Sequence, residues 1–145
     1  RRPPRSTLFP YTRSSDLARE TVPSREKALK KAKENLIITR RGCGDWGCMC
    51  GTAHSIPFAT EGRSGSVLVK LMPAPKGTGL VVEAELKKML ELAGIKDVWS
   101  KTYGSTKNKT NLMKAGFDAL KNLQKVRINP KLMEGRGIKE GEKDE

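Results

Sequence analysis

The densest chemistry in the chain lies in RRGCGDWGCMCGTAHS, residues 40–55, where three thiols and one imidazole are spaced C-x4-C-x-C-x3-H. Cys43, Cys48, Cys50 and His54 are soft or borderline donors, the set that closes a structural tetrahedral zinc site. Gly42, Gly44, Gly47 and Gly51 supply the backbone latitude to fold such ligands round one point. An ion held there could contribute on the order of 10 kcal/mol to ordering a loop with little apolar core of its own. The spacing is not the paired C-x2-C of common zinc modules, so a second reading stays open: reduced thiols in a glycine-rich connection, with His54 opening the next strand. Catalytic zinc is disfavoured, because no neighbouring Glu offers a general base. Arg40 and Arg41 enter the cluster directly and are candidates for phosphate contact, with Trp46 as a stacking platform; the alternative is an exposed Arg pair and a half-buried Trp.

The elements that must position this cluster can be read from periodicity. Upstream, Pro23, a Ser24 N-cap and Glu26 introduce a helix over residues 24–38, with Ala28, Leu29, Ala32 and Leu36 on one face and Lys27, Lys30, Lys31 and Lys33 on the other. Downstream the pattern alternates, with Ile56 and Phe58 in one strand and Val67, Val69 and Leu71 in the next. The intervening EGRSG has the composition of a hairpin connection. Pro73 and Pro75 end the second strand, and PAPKGTG leads to Leu80, Val81 and Val82. Leu86, Met89, Leu90 and Ala93 form a helical stripe stopped at Gly94. Val98, Trp99 and Tyr103 predict another strand, and Met113, Gly116, Phe117, Leu120 and Leu123 a last helix starting near Thr110.

Charge narrows the class of partner. Lys and Arg outnumber Asp and Glu by 29 to 16 in 145 residues, a net +13 that draws the chain to a polyanion, nucleic acid foremost. No apolar run approaches the roughly 18 residues of a spanning helix, so no membrane partner is expected. Three clustered cysteines do not form a secreted disulfide framework, which points to a reducing cytoplasm. A single histidine cannot support a Ser/His/Asp relay without a converging Ser and carboxylate, and GSTKNKT lacks the second glycine of a phosphate loop. The chain is therefore read as a non-enzyme with no small-molecule substrate, although the PAPKGTG turn could cradle a phosphate on its amides.

HSIPF, GSVLVKLMPAPKGTGLV, LAGIKDVWSKTYGSTKN and the KAGFDAL helix together resemble the C-terminal domain of the fifth small-subunit ribosomal protein family. RRGCGDWGCMCGTAHSIP resembles its archaeal form. The resemblance implies an α+β fold with a mixed sheet of about four strands, two helices and a left-handed βαβ crossover, preceded by a helix and a Cys-rich loop. It also implies binding to small-subunit rRNA and to neighbouring ribosomal proteins in the cytoplasmic ribosome, near the messenger entry side and the region governing decoding accuracy.

On this reading residues 18–42 are the remnant helix of an N-terminal domain similar to double-stranded-RNA-binding modules. Residues 43–54 are a Cys/His-rich linker, 55–126 the C-terminal domain and 127–145 a flexible tail. Residues 1–17 are expected to be a non-native or disordered leader; TLFPYT and TRSSDL resemble translated adapter DNA, and without an initiating Met the natural protein is expected to be longer at this end. Arg40, Arg41, Arg63, Lys76, Lys101, Lys107 and Lys109 are the expected phosphate contacts. The alternatives are a free-standing zinc-dependent RNA-binding regulator and a small phosphotransferase of related fold.

Overall fold

The computed structural model describes residues 21–48 and 50–141, and the leader expected at 1–17 lies outside them. The chain divides into two units between Ile37 and Ile38, five residues before the expected start of the Cys/His segment.

In the first unit the described structure is helix α1, Thr21–Glu34, which buries none of its residues. It starts earlier and stops sooner than the pattern suggested. Pro23 falls in the first turn, where its missing N–H costs nothing, so Ser24 lies inside the helix and does not cap it. At the other end Asn35 donates its side-chain amide to the Lys31 carbonyl at 2.8 Å, which caps the last turn and leaves Leu36 outside.

The second unit is α+β. Its four-stranded mixed sheet runs β2 (Thr60–Ser64), β3 (Val67–Pro73), β5 (Val98–Tyr103) and β4 (Leu80–Val81) in spatial order. The first three are antiparallel neighbours; β4 runs parallel to β5, and α2 (Ala84–Leu92) makes the crossover between them. Helix α3 (Lys109–Lys125) packs on β2 and β3. A second, two-stranded sheet joins β1 (Arg40–Arg41) to β6 (Lys139–Glu140).

The hairpin differs from its expected position. EGRSG is mostly strand, and only Gly65 and Ser66 form the turn between Ser64 and Val67. Gly62 stands mid-strand because α3 comes to rest on it: a Cβ there would lie 2.1 Å from the Ala115 carbonyl oxygen and 2.3 Å from the Ala119 nitrogen. Ile56 and Phe58 belong to no strand, although Ile56 is fully buried.

The two helices and β5 lie where the periodicity put them, although the buried stripe of the last helix is rotated away from Met113 and Phe117. Gly94 at φ 77° stops α2, and the Ile95 amide reaches back to Leu90. Leu86 and Leu90 of α2, Val67, Val69, Leu71 and Val98 of the sheet and Leu112, Leu120 and Leu123 of α3 are all 2% exposed or less, and Leu86 lies against Gly116 of α3. Each such side chain contributes roughly 1.5–3 kcal/mol of burial. The α3 stripe is centred on Ala115, Gly116 and Ala119, small residues that allow the close approach, and Phe117 is left 37% exposed at the margin.

Residues beyond Val126 are not an unstructured tail throughout. Helix α4 (Pro130–Gly135) and β6 fold back on the Cys-rich loop, and the Cys43 amide donates to the Arg136 carbonyl at 3.1 Å.

Candidate functional site

The Cys-rich loop is clamped at both ends. Gly42 and Ser55 exchange backbone hydrogen bonds at 2.9 and 3.2 Å, closing residues 43–54 into a loop with a fixed neck. Inside it the chain must double back tightly: a Cβ on Gly44 would sit 2.3 Å from the Pro57 carbonyl oxygen. The result brings the Sγ atoms of Cys43, Cys48 and Cys50 and a ring nitrogen of His54 within 4.8 Å of one another. A tetrahedral ion with bonds of about 2.3 Å to sulfur separates its ligands by roughly 3.5–4 Å, so a small contraction suffices to close the site. The donors fit zinc in number, type and position.

Their protonation is already uneven. The Thr52 hydroxyl, 3.1 Å from Cys50 Sγ, holds that thiol down to about 6, making it mostly thiolate at neutral pH. Burial pushes the Cys43 thiol up.

Behind the histidine stands a residue that sequence reasoning missed. His54 Nδ1 donates to Asp97 Oδ2 at 2.8 Å, with both side chains about 5% exposed, while Nε2 faces Cys48 Sγ at 3.8 Å. A carboxylate on one ring nitrogen fixes the tautomer and leaves the other nitrogen's lone pair for a metal. The two segments are also tied by backbone, since the amides of Lys96 and Asp97 both donate to the His54 carbonyl. Forty-three residues separate the pair, so no local spacing could reveal it.

Asp97 also answers the question of the PAPKGTG turn. Its Oδ1 accepts from the Gly77 and Gly79 amides at 3.1 and 2.8 Å. The amides that could have cradled a phosphate are occupied by the chain's own carboxylate. The turn is instead a rigid mount, with Thr78 bonded through amide and hydroxyl to the Pro75 carbonyl and Lys76 exposed at its tip. The phosphotransferase alternative loses its nucleotide contact here.

Comparison with known families decides the class. The family described as "Ribosomal protein S5, C-terminal domain" matches residues 62–136, just over half of the chain. The chain belongs to the ribosomal protein S5 family. Among its curated relatives, the protein named "Small ribosomal subunit protein uS5" from Nanoarchaeum equitans is 54% identical over 129 residues, covering 89% of this chain and 54% of the relative. Proteins of the same name from Methanobrevibacter smithii and Sulfurisphaera tokodaii are 51% and 60% identical, over 84% and 69% of this chain and 57% and 47% of theirs. The chain thus spans about half the length of the curated relatives it matches.

Within this S5-family fold the expected phosphate contacts separate into two groups. Arg40 is spent on structure: its Nε pairs with Glu140 at 2.5 Å and its Nη1 donates to the Val126 carbonyl. Arg41 is 4% exposed and directs Nη1 to the Gly94 carbonyl at 3.5 Å. Arg41 is buried and Arg40 only partly exposed, and both side chains are engaged by the chain itself. Arg63, Lys76, Lys101, Lys107 and Lys109 are exposed, Lys109 in a 2.8 Å pair with Glu85. Trp46 is 87% exposed, so it is a free ring and not a half-buried one. Among the described residues no helix is long and apolar enough to cross a membrane.

Proposed function

We propose that this chain serves as a structural part of the small ribosomal subunit in the cytoplasm, binding rRNA and neighbouring ribosomal proteins and carrying no enzymatic activity. Membership in the S5 family carries the reading, through relatives named as small ribosomal subunit proteins. The placement of charge supports it: Arg63, Lys76, Lys101 and Lys107 project from strands and turns held rigid by the sheet, where they neutralise phosphates at fixed positions. Folded rRNA offers little readable major groove, so backbone and loop contacts dominate over base sequence. A contribution to translation and decoding accuracy, which the family resemblance implies, is part of this proposal. The test is binding of the 145-residue chain to folded small-subunit rRNA across a salt series, with tRNA as competitor. Preference for the rRNA, with log affinity falling linearly in log salt, is expected. Equal affinity for tRNA would reduce the reading to unspecific polyanion binding.

We further infer that Cys43, Cys48, Cys50 and His54 hold a structural zinc ion, which would cross-link the loop without taking part in chemistry. The buried Asp97 behind His54 is the observation that favours this over free thiols. One zinc per purified chain is expected, lost in Cys50→Ser; a chain that purifies without zinc and does not take it up would return the cluster to reduced thiols.

A further inference from the structure

Among the described residues, one face of the sheet is covered by no helix of the core. Gly62, Val67, Val69, Leu71 and Val98 point toward α2 and α3, so strand alternation sends Trp99, Lys101 and Tyr103 of β5 and Leu68, Lys70 and Met72 of β3 to the opposite face. The register sets them in three cross-strand rows: Leu68 beside Tyr103, Lys70 beside Lys101, and Met72 beside Trp99. Arg63 of β2 extends the first row, opposite Leu68.

The composition of this face is specific. Trp99 and Tyr103 are 40% and 50% exposed, costly positions for large rings in a protein that could have placed polar residues there. Between and beside them stand three cations, Arg63, Lys70 and Lys101, against one anion, Glu61, which pairs with Lys70 at 2.8 Å. A protein partner with an apolar surface would gain nothing from Lys70 and Lys101 set directly opposite each other, a like-charge pairing that costs stability in the free sheet. A polyanion carrying flat apolar rings satisfies both features at once.

We propose that this face binds a single-stranded segment of RNA, stacking unpaired bases on Trp99 and Tyr103 while Lys101, Lys70 and Arg63 neutralise its phosphates. The rings lie four residues apart on one strand, about 13 Å, with Lys101 midway. That is the arrangement by which an open sheet takes two or three splayed bases. A duplex keeps its base faces stacked inside and cannot use the rings. The proposal rests on the RNA-binding reading above, and names a surface and an RNA form which that reading does not require.

The test uses the 145-residue chain with Trp46→Phe, which leaves Trp99 as the sole tryptophan. Oligouridylate should quench its emission saturably, and a duplex of equal length should bind at least tenfold more weakly. By titration of labelled oligouridylate, Trp99→Leu and Tyr103→Leu should each weaken binding about tenfold, with Phe at either position restoring most of it. Thermal melting of each variant separates loss of stacking from loss of fold. Lys101→Ala should lower the slope of log affinity against log salt by about one phosphate's worth. Unchanged affinity in both Leu variants, or equal affinity for duplex, overturns the proposal. Binding to folded rRNA measured in parallel keeps the two readings apart: if it survives both ring removals while oligouridylate binding never depended on them, general RNA binding stands and the stacking face falls.

Discussion

Between β2 and α3 the chain buries Val69, Leu71, Leu90, Leu112 and Leu120 almost completely, whereas the buried groups among the described residues from Arg41 to Ser55 are one arginine, one glycine, one cysteine, one alanine, one histidine and one serine. The first region is held by apolar area, which is non-directional and tolerates sequence change so long as volume is kept. The second is held by a few directed bonds, the Gly42–Ser55 exchange, Cys43 to Arg136 and His54 to Asp97, each of which depends on one geometry. One chain therefore combines a body that stabilises itself with a loop that needs fastening.

That contrast can be broken most forcefully from the body. Leu120→Ala should cost about 2–5 kcal/mol in urea unfolding, as a truncation at a fully packed site does, and should leave zinc stoichiometry at one per folded chain. If metal affinity falls as far as stability does, the two regions are one cooperative unit. Gly62→Ala should cost about 1–3 kcal/mol, because the new methyl meets the backbone of Ala115 and Ala119, which cannot step aside as a side chain would. Asp97→Asn attacks the loop instead: zinc affinity, followed by competition with a chelator, should fall roughly 10- to 100-fold, with little change in amide exchange along β3 and β5. The smallest effect is on the surface. Lys109 bonds Glu85 and holds its carboxyl below the ordinary 4.5. The folded-state pKa is depressed, so the stabilisation is present above about pH 4.5 and fades as pH falls through the folded value. Lys109→Met should therefore lower stability slightly at neutral pH, flatten that part of the acid-unfolding profile, and leave stability unchanged once Glu85 is protonated.

How much was legible follows the same division. Apolar spacing located α2, β5 and α3 because burial is what forms them, and β5 runs from Val98 to Tyr103, the residues that suggested it. It failed where a long-range neighbour overrides local composition. EGRSG looks like a turn until α3 is laid against Gly62. Phe117 looks like core until the small residues beside it set the helix rotation. In the loop, residue types identified the four donors, but nothing local could show that Asp97 stands behind His54 or that Arg40 and Arg41 are claimed by the chain itself. The stacking face was within reach, since the period of two already puts Trp99, Lys101 and Tyr103 on one side.

The pairing of β1 with β6 sets an order of events in synthesis. Arg40 meets Glu140, a hundred residues later, and Cys43 receives its backbone partner from Arg136. At about 5–20 residues per second, the sheet and both its helices emerge seconds before the strand that locks the Cys-rich loop. Through that interval the loop is held only at its Gly42–Ser55 neck and by Asp97, and the Cys43 amide and the Arg40 side chain wait for partners that the ribosome has not yet delivered.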